Sequence, residues 1–171
     1  SFGANYTQLN FHKTWDGMWR TGEYSDIVVT FEKQPWRYIF WRGTRYLPSL
    51  VTDYGRSGIW SNDQSPEVYN GRCYEHMSDM LCRYSNIRLI SGSPARVIVH
   101  WRNASADIAY RWPKLNDKGQ GIWTDEYWTI YPDGTSVRYQ LLHNSIQERI
   151  IEMNQNEILL HPGQNPEDAI M

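Results

Sequence analysis

The stretch WTDEYWTIYPDGTSVRYQLLH (residues 123–143) decides the fold. Two runs rich in β-branched and aromatic residues, Trp123–Tyr131 and Thr135–His143, flank Pro132, Asp133 and Gly134. Proline presets φ for a turn corner, aspartate bonds its own backbone, and glycine accepts positive φ. The whole therefore reads as an antiparallel hairpin. Strand alternation then sorts the side chains by face. Tyr127, Thr129 and Tyr131 oppose Trp128 and Ile130, while Val137, Tyr139 and Leu141 oppose Arg138, Gln140 and Leu142. Asp125 and Glu126 are adjacent, so they point to opposite faces and make a poor pair of glycosidase carboxylates.

Working outward, the same strand signal recurs at Ser25–Lys33, Trp36–Arg42, Tyr84–Ser91 and Ala95–Asn103. The last two runs are separated by the turn residues Gly92, Ser93 and Pro94. Tyr74–Leu81 reads as one helical turn, and Ile146–Leu160 as a strand pair or a short helix. Segments 52–72 and 113–121 read as loops, rich in Gly, Ser, Asn and Asp. Nothing alternates helix with strand in the way a parallel sheet requires. The expectation is an all-β, antiparallel β-sandwich, jelly-roll-like, with long loops. Residues 1–160 form its single domain, and 161–171 a C-terminal tail or a linker to a further segment.

The composition bounds the function. The chain has 171 residues, 40% of them apolar, which suffices for one core. A net charge of −2 lacks the basic excess of a general nucleic-acid binder. No run is long enough for a transmembrane helix. Cys73 and Cys82 read as a local disulfide of an oxidising compartment, or as two buried thiols; the disulfide, closing a short polar loop, is the expectation taken forward. Asn5-Tyr6-Thr7 and Asn103-Ala104-Ser105 are N-glycosylation acceptor triplets. Together these features place the chain outside the cell as a secreted glycoprotein.

Nine Trp and twelve Tyr exceed the need of one core. The basic residues are skewed as well, with 13 Arg against 4 Lys. Arginine is preferred where a planar fork meets a carboxylate or stacks on a ring. Flat rings beside Arg and His suit sugar rings and their carboxylates, and they also suit a protein interface. Candidate binding residues are Trp41, Arg42, Arg45, Tyr46, Tyr84, Trp101 and Trp128. In residues 95–102, Arg96, Ile98, His100 and Arg102 share one face. An acidic-polysaccharide lyase needs a base, a cation beside the substrate carboxylate, and an acid for the leaving oxygen. His100, Arg102 or Arg42, and Tyr127 or Tyr84 supply those types. The plain alternative is a His and an Arg hydrogen-bonded to neighbouring strands. There is no HExxH, P-loop, GxSxG, paired CxxC or EF-hand loop. No cofactor is expected; Glu75, His76 and Asp79 are the one set with cation-binding types, and they serve equally to close a surface loop.

The runs FWRGTRYLPS (40–49), CYEHMSDMLCRYSNIRLI (73–90), SPARVIVHWRNA (93–104), WTDEYWTIYPDGTSVRY (123–139) and LLHPGQNPEDAI (159–170) carry a resemblance. Over about residues 24–170 the chain resembles a family of large, mostly uncharacterised secreted β-rich proteins of polysaccharide-degrading marine and gut bacteria. The resemblance implies an extracellular setting and a link to carbohydrate, and it assigns no catalytic residue. It also implies a fragment, truncated relative or module of a longer polypeptide. Asn103 departs from the family, which tends to have Tyr there. The leading expectation is an extracellular carbohydrate-binding module whose partner is a polysaccharide or glycan. The alternatives are the lyase and a structural subunit of a filament or matrix. Other subunits, or the rest of a larger chain, are further possible partners; nucleic acid and a membrane span are not expected.

Overall fold

The computed structural model describes residues 1–8, 26–52, 59–61, 67–69, 73–112, 115–119, 121–143, 150–152, 165 and 167. A first sheet runs in chain order through β1 (Gly3–Thr7), β2 (Asp26–Thr30), β3 (Trp36–Phe40), β4 (Pro48–Thr52) and β5 (Ile59–Ser61). The short strands β6 (Glu67–Tyr69) and β7 (Cys73–Tyr74) pair with each other. A second sheet holds β8 (Asn86–Gly92), β9 (Val97–Ala104), β10 (Trp123–Ile130) and β11 (Ser136–His143), in the order β11-β10-β9-β8. The strand β12 (Ile150–Glu152) joins β6. Every pairing is antiparallel.

The hairpin forms as its sequence predicts. Trp123 lies opposite His143, and the register continues unbroken to Ile130 opposite Ser136. Gly134 N donates to Tyr131 O at 3.0 Å, and Tyr131 N donates to Thr135 O at 2.9 Å. The Asp133 carboxylate accepts from Thr135 N at 2.9 Å. Gly134 has φ 91°, and a Cβ there would come within 3.0 Å of the Trp36 ring. Glycine is thus required for the turn and for its approach to the first sheet.

The two large sheets face each other through one apolar layer. Ile27, Val29, Tyr38, Phe40 and Leu50 of the first meet Val97, Val99, Trp128 and Ile130 of the second. Each large side chain buried in this way contributes about 1.5–3 kcal/mol. Trp128 packs against Tyr38 and, edge-on, against Phe40. Polar ties close the sandwich: Tyr38 OH with Ser136 Oγ at 2.7 Å, Gln34 Nε2 to Asp133 O at 2.6 Å, and Leu89 N to Tyr6 OH at 2.7 Å. The protein is an all-β antiparallel sandwich, and each large sheet is a meander of consecutive strands.

Several local expectations need correction. Segment 52–72 is not simply loop, because β5 and β6 lie within it. Three-residue strands are too short to show alternation. The helical turn near residue 74 is a 3-10 turn over His76–Ser78. Ile146–Leu160 contains β12, and its other residues, like most of 161–171, lie outside the described residues.

The Cys73–Cys82 disulfide is not formed: Cys82 is a free thiol. Its backbone is left-handed, with φ 47°, and its Sγ donates to Arg42 O at 3.2 Å. The thiol is thereby turned onto the 41–47 loop, while Cys73 is held by strand pairing with Tyr69. Burial pushes the Cys82 thiol up to about 12. The glycosylation reading of Asn103 also fails in this fold. Asn103 lies on the inward face of β9, is 0% exposed, and its amide has no hydrogen-bond partner among the described residues. Asn5, by contrast, is exposed on β1.

Candidate functional site

The outer face of the second sheet concentrates the chemistry. Strand register sets it out in rows. Tyr139, Tyr127, His100 and Arg88 lie directly opposite one another across all four strands. The next row of this face holds Leu141, Asp125, Arg102 and Asn86, and the third pairs His143 with Trp123.

Asp125 is the hub. Its carboxylate, only 3% exposed, accepts from His100 Nε2 at 2.6 Å, from Arg102 Nε and Nη2 at 2.7 Å each, and from His143 Nε2 at 2.8 Å. The Arg102 hydrogen bonds hold this carboxyl well below the usual carboxylate range against the opposing effect of burial; His100 and His143 add to the shift. Arg88 Nε donates to His100 Nδ1 at 2.9 Å. A guanidinium only donates, so Nδ1 accepts and the His100 proton sits on Nε2, facing Asp125. Both nitrogens of His100 are therefore committed. Its ring is covered by Tyr127, stacked at 4.7 Å and 20°. Tyr139 continues that aromatic strip at 6.3 Å from Tyr127 and is 60% exposed.

A second aromatic group flanks the hub. Trp112 meets Trp123 at 4.8 Å and 66°, and Tyr84 meets Trp112 at 4.8 Å and 87°. All three rings are half-buried. Gly121 makes room for them, since a Cβ there would fall 1.9 Å from the Trp112 ring. Tyr110 joins through Tyr84 at 6.2 Å, with the Arg83 guanidinium 4.6 Å above its ring centre.

The opposite face of the same strands is sealed. Glu126, 0% exposed, accepts from Arg138 Nη2 at 2.6 Å and Nε at 2.9 Å, from Gln140 Nε2 at 2.9 Å, and from Trp128 Nε1 at 3.1 Å. Burial pushes its carboxyl up, with Arg138 opposing.

The structure brings His100, Arg102 and Tyr127 together and places Tyr84 in the flanking aromatic group. It does not bring the others there. Trp101 (0% exposed), Trp128 (4%) and Tyr46 (1%) are core residues and cannot contact a ligand, which corrects their assignment as binding residues. Trp101 and Trp128 lie on the inward sides of their strands. Tyr46 is turned inward by two successive left-handed residues, Arg45 at φ 58° and Tyr46 at φ 64°. Arg45 is spent on structure, donating through Nε at 2.9 Å to Met77 O. Arg42 Nη2 donates to Leu81 O at 3.3 Å, and Trp41 belongs to the same loop rather than to the sheet face. Asp79, 0% exposed, accepts from Arg83 N and Tyr84 N at 2.8 Å each and so shapes the 79–85 loop. His76 is 0% exposed and edge-on to Trp101 at 5.1 Å. Glu75 is bridged through its backbone to Ala106. Among the described residues no group of three or more His, Cys, Asp or Glu is arranged to hold a metal ion. No helix among them is long and apolar enough to cross a membrane.

Asp125, His143, Arg88, Trp123 and Trp112 were not singled out from sequence as site residues. A signal existed for His143: the Pro-Asp-Gly turn fixes the hairpin register and so sets His143 diagonally across from Asp125. No family model, curated protein or solved structure significantly matches this chain.

Proposed function

We propose that the outer face of the second sheet binds a saccharide chain, which makes the protein a carbohydrate-binding module. One observation carries this reading: aromatic rings not needed by the core lie half-buried or exposed on one sheet face, around polar groups held rigidly in place. Tyr127 and Tyr139 form one side and Trp123, Trp112 and Tyr84 the other. Sugar rings stack on such faces while their hydroxyls reach neighbouring polar groups. An extracellular setting belongs to the same proposal, favoured by the exposed Asn5 acceptor triplet and by the resemblance to secreted proteins of polysaccharide-degrading bacteria.

The lyase reading has less behind it. A base must present a free lone pair to the substrate, and His100 has none, since Nδ1 accepts from Arg88 and Nε2 donates to Asp125. The reading as a structural subunit draws on Val137 (53% exposed) and Leu141 (41%), apolar residues on the edge strand β11. Affinity electrophoresis against a panel of polysaccharides tests the main reading. Retardation by at least one of them is expected, lost on Trp123→Ala. Unretarded migration through the whole panel, with a concentration-dependent rise in mass, would favour the subunit reading instead.

A further inference from the structure

We infer that this face selects carboxylate-bearing sugars, that is, chains of uronic acid residues, through Arg88 and Arg102. The inference rests on the saccharide reading above and narrows it.

The two guanidiniums are held from below by buried groups. Arg88 is fixed through Nε to His100, which is 5% exposed. Arg102 is fixed through Nε and Nη2 to Asp125, which is 3% exposed. These bonds leave the two η nitrogens of Arg88 and Nη1 of Arg102 without a partner among the described residues. Arg88 is exposed, and the Arg102 side chain is half exposed. The free edge of Arg88 is a two-pronged donor of the shape that meets a carboxylate. Because both side chains are already ordered, a ligand pays little rotamer entropy on binding.

Charge points the same way. Two guanidiniums face one carboxylate, so the cluster keeps a net positive charge. The chain as a whole carries −2. Arg88 also ends the row that begins with Tyr139 and Tyr127. A sugar ring stacked on those tyrosines would direct a ring carboxylate toward the guanidiniums. A neutral chain would gain the stacking alone.

The test compares a hexauronate with its carboxyl-reduced neutral counterpart by titration calorimetry on the intact chain. About tenfold tighter binding of the hexauronate is expected in roughly 0.05 M NaCl, with the preference shrinking in about 0.5 M NaCl. Arg88→Gln, with its unfolding midpoint checked to confirm the fold, should close most of the gap between the two ligands. Equal affinity of the wild type for both would overturn the carboxylate inference and leave the saccharide reading standing. Tighter binding of a sulfated form of the reduced chain would overturn it too. No binding of any of these chains, nor of the polysaccharide panel, would overturn both.

Discussion

Asp125 and Glu126 are consecutive residues on one strand, each gripped by two nitrogens of one arginine, yet they live in different media. Asp125 faces outward, where its partner Arg102 has a side chain 50% exposed. Glu126 faces inward, where Arg138 has a side chain 16% exposed and Glu126 itself 0%. The outer carboxyl is held below its ordinary range and the inner one is pushed above it. One residue step along a β-strand has separated a positioning group for the surface from a staple for the interior. Sequence adjacency therefore says little about shared chemistry when the side-chain period is two.

The largest effect should come from removing the inner member. Glu126→Ala removes the fully buried carboxylate that accepts from the Arg138 guanidinium, at a cost of about 3–5 kcal/mol. Asp125→Ala leaves Arg102 able to turn into water and should cost about 1–2 kcal/mol, chiefly through the unpaired His100. Urea unfolding of both variants measures the difference. Equal losses would break the comparison, because burial would then not be what separates the two pairs.

Acid sharpens it next. Burial, helped by Arg45 and Arg138, lowers His76 to about 3 in the folded state. The unfolded chain binds that proton from about pH 6.5 downward. Stability should thus be full above about 6.5 and fall by about 1.4 kcal/mol per pH unit toward pH 3. Asp125, with its folded value depressed, adds a loss that begins only below about pH 3.9. Glu126 runs the other way: its folded value is raised, so ionisation above about pH 4.3 disfavours the fold, and protonation relieves that cost as pH falls. His76→Phe should flatten the slope between pH 6.5 and 3, followed by urea midpoints across that range. A slope unchanged in this variant would mean that His76 is charged in the folded protein.

The sandwich, its hairpin and the sorting of Asp125 from Glu126 were legible because they depend on local rules: turn chemistry and a period of two. The site was only partly legible. His100, Arg102 and Tyr127 share a face by alternation within their strands and by the pairing of β9 with β10. Arg88 reaches His100 only because β8 pairs with β9 in a register shifted between Leu89 and Ser91, and no residue pattern announces that irregularity. Alternation groups Trp101 with Val97 and Val99 and sets Trp128 opposite Tyr127, but it does not by itself say which face the core takes; the core takes the face of Val97 and Val99. Tyr46 and Arg45 misled for another reason. They lie past the Trp36–Arg42 strand run, in a turn whose left-handed residues leave no alternation to read.

The smallest effects should lie among the outer-face tyrosines, where stability and binding come apart. Tyr139 is 60% exposed, with its ring 6.3 Å from that of Tyr127. Tyr139→Ser should therefore shift stability by no more than about 0.5 kcal/mol. Tyr127→Ser uncovers the ring of His100 and loses its stacked contact, which should cost about 1 kcal/mol. Trp128, one residue further along β10 but on the inner face, should lose about 3–5 kcal/mol on truncation to alanine. If the saccharide reading holds, the order reverses for ligand affinity: the two tyrosine variants weaken binding while remaining folded. Unfolding midpoints and ligand titrations on the same three variants read both scales. A Tyr139→Ser protein that loses several kcal/mol of stability would show that the outer face is held together by its aromatic strip, and the division of labour between the two faces would then be wrong.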